Sequence, residues 1–497
     1  MSVFDTPSSV EPVLAKGVSI AKGSQGDISL PLKMANRHGL IAGATGTGKT
    51  VTLQRVAEQM ARAGVTVFCV DIKGDLSGIA APKEGAGPQV VFWDVFGKRG
   101  HPIRTTVSEF GPMLFSRLLD LSEAQTGVLQ IVFRLSDDQG LLLLDLNDLK
   151  AVLAHIAENA SEISQTYGLV SPSSVAAIQR ALLAFENEGG AIFFGEPALQ
   201  VEDLLSASDS KAAHLHVLAA DELANHPRLY ATVMLWLLAE LYEDLPEAGD
   251  LPKPKLALFV DEAHMLFNDA PSVLVEKIEQ VIRLIRSKGV GVYFITQNPV
   301  DLPETVLGQL GHRIQHALRA FTPKDQKAVR VAAQTFRPNP AFDTQETITQ
   351  MGVGEALISF LDEKGAPGIV QRGKVHLPQS QIGKLSDAAR AAILAASPYA
   401  GVYDQPVDRE SAYERLASKI RRTSTGSVPH TGQTTTQPSS SGGGVGDVLS
   451  TVGKVLSGGK SRRQGLGETL VKSVVRQIGT QVGREIIRGV LGSISRR

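Results

Sequence analysis

The chain has 497 residues and a mass of 52.9 kDa, room for about three domains at roughly 150 residues each, so a single small module is excluded. Hydrophobic residues make up 43% and charged residues 20%, with mean hydropathy +0.01, so bulk disorder is excluded and any unstructured stretch must be local. Fifty basic against 51 acidic residues leave a formal net charge of -1, which excludes the strongly basic profile of an abundant nonspecific nucleic-acid coat.

One cysteine, Cys69, rules out an intrachain disulfide and a cysteine-built zinc site and fits a reducing compartment. The start, Met-Ser-Val-Phe-Asp-Thr-Pro, lacks a basic cluster ahead of an apolar stretch, which argues against a secretory signal. No run reaches the roughly 18 uncharged apolar residues of a spanning helix. A cytoplasmic location is expected. Leu229 to Leu238 is short, runs into Glu240, and reads as a buried core helix.

In chain order, residues 11 to 34 alternate around Gly17, Gly23 and Gly26 and predict a small β-hairpin. From His38 to Asp71 the pattern is strand (Gly39 to Ala42), glycine-rich loop, helix (Lys49 to about Arg62) and apolar strand (Val65 to Val70), a βαβ unit. Residues 105 to 253 are rich in Leu and Ala at helical spacing, with capping breaks at Asp120 to Ser122 and Ser171 to Ser174, and predict an all-α insertion. Strand character returns at Lys255 to Val260, Val290 to Thr296 and Arg313 to Leu318, so residues 254 to 400 are expected to complete the core begun in 1 to 104. A closing hairpin is expected at 354 to 376. Residues 401 to 453 read as a helix to about Arg422 followed by a linker, since 423 to 446 contain no Asp, Glu, Lys or Arg.

Gly43-Ala44-Thr45-Gly46-Thr47-Gly48-Lys49-Thr50, followed by Val51, matches the phosphate-binding loop of Gly, four residues, then Gly-Lys-Thr, between a strand and a helix. The glycines let amides turn inward as an anion nest, and the helix adds its positive dipole end. Lys49 is expected at the β and γ phosphates of ATP and Thr50 on Mg2+. Downstream, the buried strand Leu256 to Val260 ends in Asp261-Glu262. Asp261 is placed to hold Mg2+ and Glu262 to deprotonate the attacking water, with a helix N-cap pair as the alternative. Gln297, ending the strand Val290 to Thr296, is a candidate γ-phosphate sensor or the cap of the following turn. His264 reads as structural, and Cys69, Trp93 and Trp236 as core residues.

Taken together, GATGTGKT, the FVDEAH stretch at 259 to 264 and the ITQNP stretch at 295 to 299 resemble the HerA/FtsK branch of P-loop ATPases, nearest the bacterial HerA-like proteins. Asp71-Ile72-Lys73-Gly74-Asp75 is similar to that branch's Asp-x-Lys-Gly-acid turn. Arg286-Ser287-Lys288-Gly289 is similar to its Arg-Lys-x-Gly segment, with the two middle positions differing. The resemblance covers roughly residues 15 to 400 and implies a RecA-like α/β fold with a mostly parallel sheet. It implies a homo-hexameric ring with ATP and Mg2+ between subunits, DNA through the centre, and a trans arginine supplied by Arg313 or Arg286. The segment ahead of Gly43 is too short for the N-terminal β-barrel of HerA proper.

Residues 454 to 497 hold ten basic and two acidic residues, with Leu470, Val474, Ile478, Val482, Ile486, Val490 and Ile494 recurring every fourth position. They predict a basic amphipathic helix for a membrane surface, an acidic partner, or the chain's own acidic domain. The expected function is an ATP-driven DNA translocase or helicase, the alternative a ring ATPase acting on protein or at a membrane.

Overall fold

The computed structural model describes residues 17–85, 87–205, 215–268 and 272–425, with side chains as far as 419. The chain forms two compact units that divide after Tyr413, and the described part of the second continues the helix Ala412–Thr425. The linker beyond residue 425 and the amphipathic segment at 454 to 497 lie outside the described residues.

The first unit carries one twelve-stranded sheet. In chain order its strands are β1 (Val18–Gly23), β2 (Gly26–Leu30), β3 (Gly39–Ala42), β4 (Thr66–Asp71), β5 (Val90–Asp94) and β6 (His101–Pro102). They continue as β7 (Leu215–Ala219), β8 (Leu256–Val260), β9 (Val290–Thr296), β10 (His312–His316), β11 (Glu355–Ser359) and β12 (Gln371–Val375). The spatial order is β2-β1-β12-β11-β10-β3-β9-β8-β4-β7-β5-β6. Every neighbouring pair from β10 to β6 is parallel, and every pair from β2 to β10 is antiparallel. The N-terminal hairpin therefore joins the sheet through the closing hairpin, β1 against β12.

Strands β3, β4, β8 and β9 are buried at every residue, as parallel strands covered on both faces must be. Alternation puts Val67, Cys69, Ala257, Phe259 and Ile295 on the face that meets Leu53, Val56, Ala57 and Met60 of the helix Lys49–Arg62. Burial of each large apolar side chain of that helix contributes about 1.5–3 kcal/mol, which locks the phosphate-loop helix to the sheet. Leu229 to Leu241 in the helix Pro227–Asp244 is buried throughout, as the sequence pattern requires. Among the described residues no single helix is long and apolar enough to cross a membrane.

The expected all-α insertion at 105 to 253 needs correction. The helices Val107–Leu118, Glu123–Gln139, Leu146–Glu158, Ala160–Tyr167 and Pro172–Asn187 do follow one another there, begun by capping residues such as Thr106, Ser122, Asp145 and Ser171. Strand β7, however, lies inside that range and pairs with β4 and β5 in the parallel sheet. Its five residues are too few to show a period, and His216 interrupts them. The tertiary structure satisfies that histidine: Trp93 Nε1 donates to His216 Nδ1 at 3.0 Å, and Nε2 lies 3.0 Å from Leu204 O.

Candidate active site

Chain register brings Ala42 level with Thr296, and Val70 level with Val260 and Phe294, so the carboxyl ends of β3, β9, β8 and β4 open on one crevice. Ligands of open parallel sheets bind there. The loop leaving β3 is shaped by Gly43 (φ 155), Gly46 (φ 76) and Gly48 (φ 113), backbone angles that favour glycine. At Gly43 a β-carbon would also stand 2.5 Å from His316 Cβ.

Backbone and side-chain bonds hold this loop. Gly43 N donates to Thr296 O at 3.3 Å, Ala44 N to Ala317 O at 2.8 Å, Gly354 N to Thr47 O at 3.0 Å, and Thr47 Oγ1 to Ala44 O at 2.7 Å. Lys49 Nζ donates to Ala44 O at 3.1 Å, and burial pulls the ammonium below its ordinary pKa. Beneath the loop, His316 Nδ1 lies 2.9 Å from Glu355 O and Nε2 lies 2.8 Å from Thr52 Oγ1. A carbonyl only accepts, so Nδ1 carries the proton and the Thr52 hydroxyl donates to Nε2. Burial pulls this ring's pKa down to about 4 and keeps it neutral.

Across the crevice, Asp261 and Glu262 end β8. Asp261 Oδ1 accepts from Glu262 N at 2.9 Å, and burial pushes its carboxyl up to about 7, with the neighbouring Glu262 charge adding to the rise. Asp71, at the end of β4, is likewise raised to about 7 by burial and by the Asp75 and Asp261 charges, although it accepts from Gly74 N at 2.8 Å and Leu76 N at 3.2 Å. Glu262 is different. Burial works to raise it, but the Lys73 ammonium bonded to Oε1 outweighs that and holds the carboxyl below its usual range. Gln297 Nε2 donates to both Glu262 oxygens at 3.3 Å, and His264 Nδ1 lies 3.2 Å from Oε2, off hydrogen-bond geometry.

Two open alternatives close on this geometry. The amides of Met265 and Leu266 bond the backbone carbonyls of Glu262 and Ala263, so the acidic side chains are not spent as caps for the helix His264–Asn268. At the end of β9 it is Asn298 Oδ1 that caps the turn, accepting from Val300 N at 3.2 Å. Gln297 is left to bridge Glu262 to the phosphate loop, where Thr45 Oγ1 donates to its Oε1 at 3.2 Å.

Gly43 to Val51, Asp261, Glu262 and Gln297 thus share the crevice, whereas Arg313 does not. Arg313 pairs by register with Leu40 near the amino end of the parallel strands, and its half-buried guanidinium donates from Nη2 to Leu307 O at 3.0 Å. Arg286 is exposed in the turn before β9, about 20 Å of strand away from Gln297. The sequence reading assigned no role to Lys73 or His316. The turn Asp71 to Asp75, placed directly after a buried strand, was the signal for Lys73; His316 offers none, because its partners come from other elements.

The residues present fit a nucleotide with a divalent cation. Asp261 is buried with its carboxyl pushed up to about 7, a rise that a bound metal ion would reverse, and Thr50 stands half-buried in the first turn of the loop's helix.

The sequence matches the family profile described as Helicase HerA-like C-terminal over residues 18–89 and 83–497. It is 21% identical over 358 residues to the DNA double-strand break repair helicase HerA of Sulfolobus acidocaldarius; the match covers 68% of this chain and 65% of that protein, just under two thirds of its length. It is 28% identical over 125 residues to the probable helicase MJECL08 of Methanocaldococcus jannaschii, covering 24% of this chain and 22% of that one. The fold is similar to that of plasmid coupling protein TrwB in complex with the GTP analogue GDPNP, with TM-score 0.51 and 15% identity over 75% of this chain and 92% of TrwB. With TrwB in complex with ADP and Mg2+ the TM-score is 0.50 at 14% identity, over 73% and 89%. The phosphate loop, the acidic strand end, the sheet order and the family match converge: the chain has a P-loop α/β fold and belongs to the HerA-like helicase C-terminal family.

Proposed function

We propose that the chain is a Mg2+-dependent motor that works as a homo-hexameric ring and translocates DNA with ATP. The observation that carries this reading is the meeting of the phosphate loop with Asp261, Glu262 and Gln297 in one crevice, beside the match to a helicase family. Lys49 would neutralise the β and γ phosphates, and Thr50 and Asp261 would hold the magnesium, which supplies further positive charge to them. Glu262 accepts a proton from the attacking water at a carboxylate oxygen, and Gln297 orients that carboxylate while tying it to Thr45. For a trans arginine, Arg286 is better exposed than Arg313, whose guanidinium is half-buried and bonded within its own chain.

The alternative, a ring ATPase acting on protein or at a membrane, draws support from one count. Residues 105 to 205 hold 14 acidic against four basic residues, a surface that repels nucleic-acid phosphates. ATP turnover by the full chain, with duplex DNA, single-stranded DNA or neither at two salt concentrations, separates the readings. Stimulation that weakens with salt supports translocation on DNA, whereas a flat response alongside Glu262-dependent turnover rejects it. A cytoplasmic location, peripheral to a membrane through residues 454 to 497, belongs to the same proposal. Co-sedimentation of the full chain and of a chain ending at residue 453 with anionic liposomes tests it, and equal pelleting of the two rejects it.

A further inference from the structure

We infer that Lys73 is a latch on Glu262, opened when the phosphodiester backbone of bound DNA draws the lysine away, so that hydrolysis waits for substrate. The inference rests on the DNA reading above.

The latch is built on an asymmetric pair. Glu262 is held at φ 46, an uncommon backbone for a residue with a β-carbon, with its side chain only 4% exposed, whereas the Lys73 side chain is 42% exposed. The cation can therefore be reached from solvent without opening the core. While the ammonium rests on Oε1, the oxygen that would accept the water proton is engaged by Lys73. Gln297 stays bonded to both oxygens of the same carboxylate, so removal of Lys73 leaves Glu262 positioned and not adrift.

Two further cations lie beside the turn that carries Lys73. The next residue, Gly74, has φ 72, and a β-carbon built there would stand 3.5 Å from Arg99 Nη1 and 3.9 Å from Lys384 Nζ. Arg99 pairs with Asp221 at 2.8 Å and is 46% exposed, and Lys384 is exposed. A polyanion reaching this turn competes for three cations, two of them paired with Glu262 and Asp221, and an ion pair with one water-facing partner is easily exchanged. The turn leaves β4, which is hydrogen-bonded to β8, so a shift of Lys73 acts directly on the acidic strand end.

The test is steady-state ATP turnover of the full chain at saturating ATP, with and without duplex DNA. Lys73→Ala should raise the DNA-free kcat about tenfold, with DNA then adding less than about twofold and the KM for ATP within about threefold of the unsubstituted chain. Lys73→Arg should restore the low DNA-free rate, and Lys384→Glu should raise the DNA concentration for half-stimulation about tenfold. Lys73→Gln repeats the first measurement should the alanine variant melt early. DNA-free and DNA-stimulated rates that fall together in Lys73→Ala overturn the latch. So does a DNA-free rate in the unsubstituted chain equal to that of Lys73→Ala, because the nucleotide's own phosphate would then suffice. A rate that DNA leaves unchanged in the unsubstituted chain, beside a raised rate in Lys73→Ala, keeps the restraint of Lys73 on Glu262 but overturns its release by DNA together with the DNA reading.

Discussion

Gln297 is bonded to Glu262 across 35 positions of sequence, its Nε2 lying 3.3 Å from each carboxylate oxygen. Because Oε1 of the same amide accepts from Thr45, one side chain spans the acidic strand end and the phosphate loop. The flanking turn is capped by Asn298, which leaves Gln297 free for this bridge. Glu262→Gln should lower turnover about 10²–10⁴-fold while ATP binding is retained. Gln297→Ala should lower kcat about 10–100-fold with KM changed less than about threefold, as expected of a residue that positions a base. A rise in KM with kcat intact would place Gln297 in ground-state binding instead.

Lys49 is buried at the mouth of the loop, its ammonium bonded to Ala44 O at 3.1 Å. Lys49→Ala should weaken retention of a fluorescent ATP analogue at least about tenfold, since a charge-assisted bond to phosphate is lost. Unchanged retention would contradict the phosphate-loop assignment itself.

His316 supports the loop from below through Thr52 and Glu355. His316→Phe keeps the bulk but strands both partners, and should cost about 1–3 kcal/mol in urea unfolding. Gly43→Ala should be worse tolerated than Gly46→Ala, because only at Gly43 does the new β-carbon meet His316. Equal costs at the two glycines would show that backbone angle alone governs the loop.

His312 is a neutral ring fixed at both nitrogens: Nε2 donates to Met34 O at 2.7 Å and Nδ1 accepts from Leu361 N at 3.4 Å. Burial pulls its pKa down to about 4, below the ordinary 6.5. The folded state then binds fewer protons than the unfolded state between these values, so this stabilisation is present above pH 6.5 and is lost as pH falls toward 4. Asp71 and Asp261, raised to about 7, work in the opposite sense over about pH 4 to 7, so the informative quantity is the difference between variants. The stability advantage of the unsubstituted chain over His312→Asn should shrink by on the order of 2–3 kcal/mol between pH 7 and pH 4. A difference independent of pH would mean that the ring is not held neutral.

Arg286 and Arg313 separate by readout. Arg286→Ala should lower kcat on the order of 10³-fold if its guanidinium serves a neighbouring subunit, with ATP retention preserved. Arg313→Ala should act mainly on the melting temperature, because its guanidinium is bonded to Leu307 O within the chain. A kcat loss confined to Arg313→Ala would reverse the assignment.

Amino-acid order alone determined the phosphate loop, the helix Lys49–Arg62 and the acidic end of β8, because those features rest on consecutive residues: glycines that turn amides inward, an apolar helical stripe, a fully apolar strand. It also marked the two hairpins, whose partners are close in sequence. Only the tertiary structure decided that β7 enters the sheet between β4 and β5, that Lys73 meets Glu262 across 189 positions, and that His316 meets Thr52 across 264. In a parallel sheet each strand reaches its neighbour through a long crossover, so which strand ends share a crevice is set by packing of distant segments and not by any local pattern.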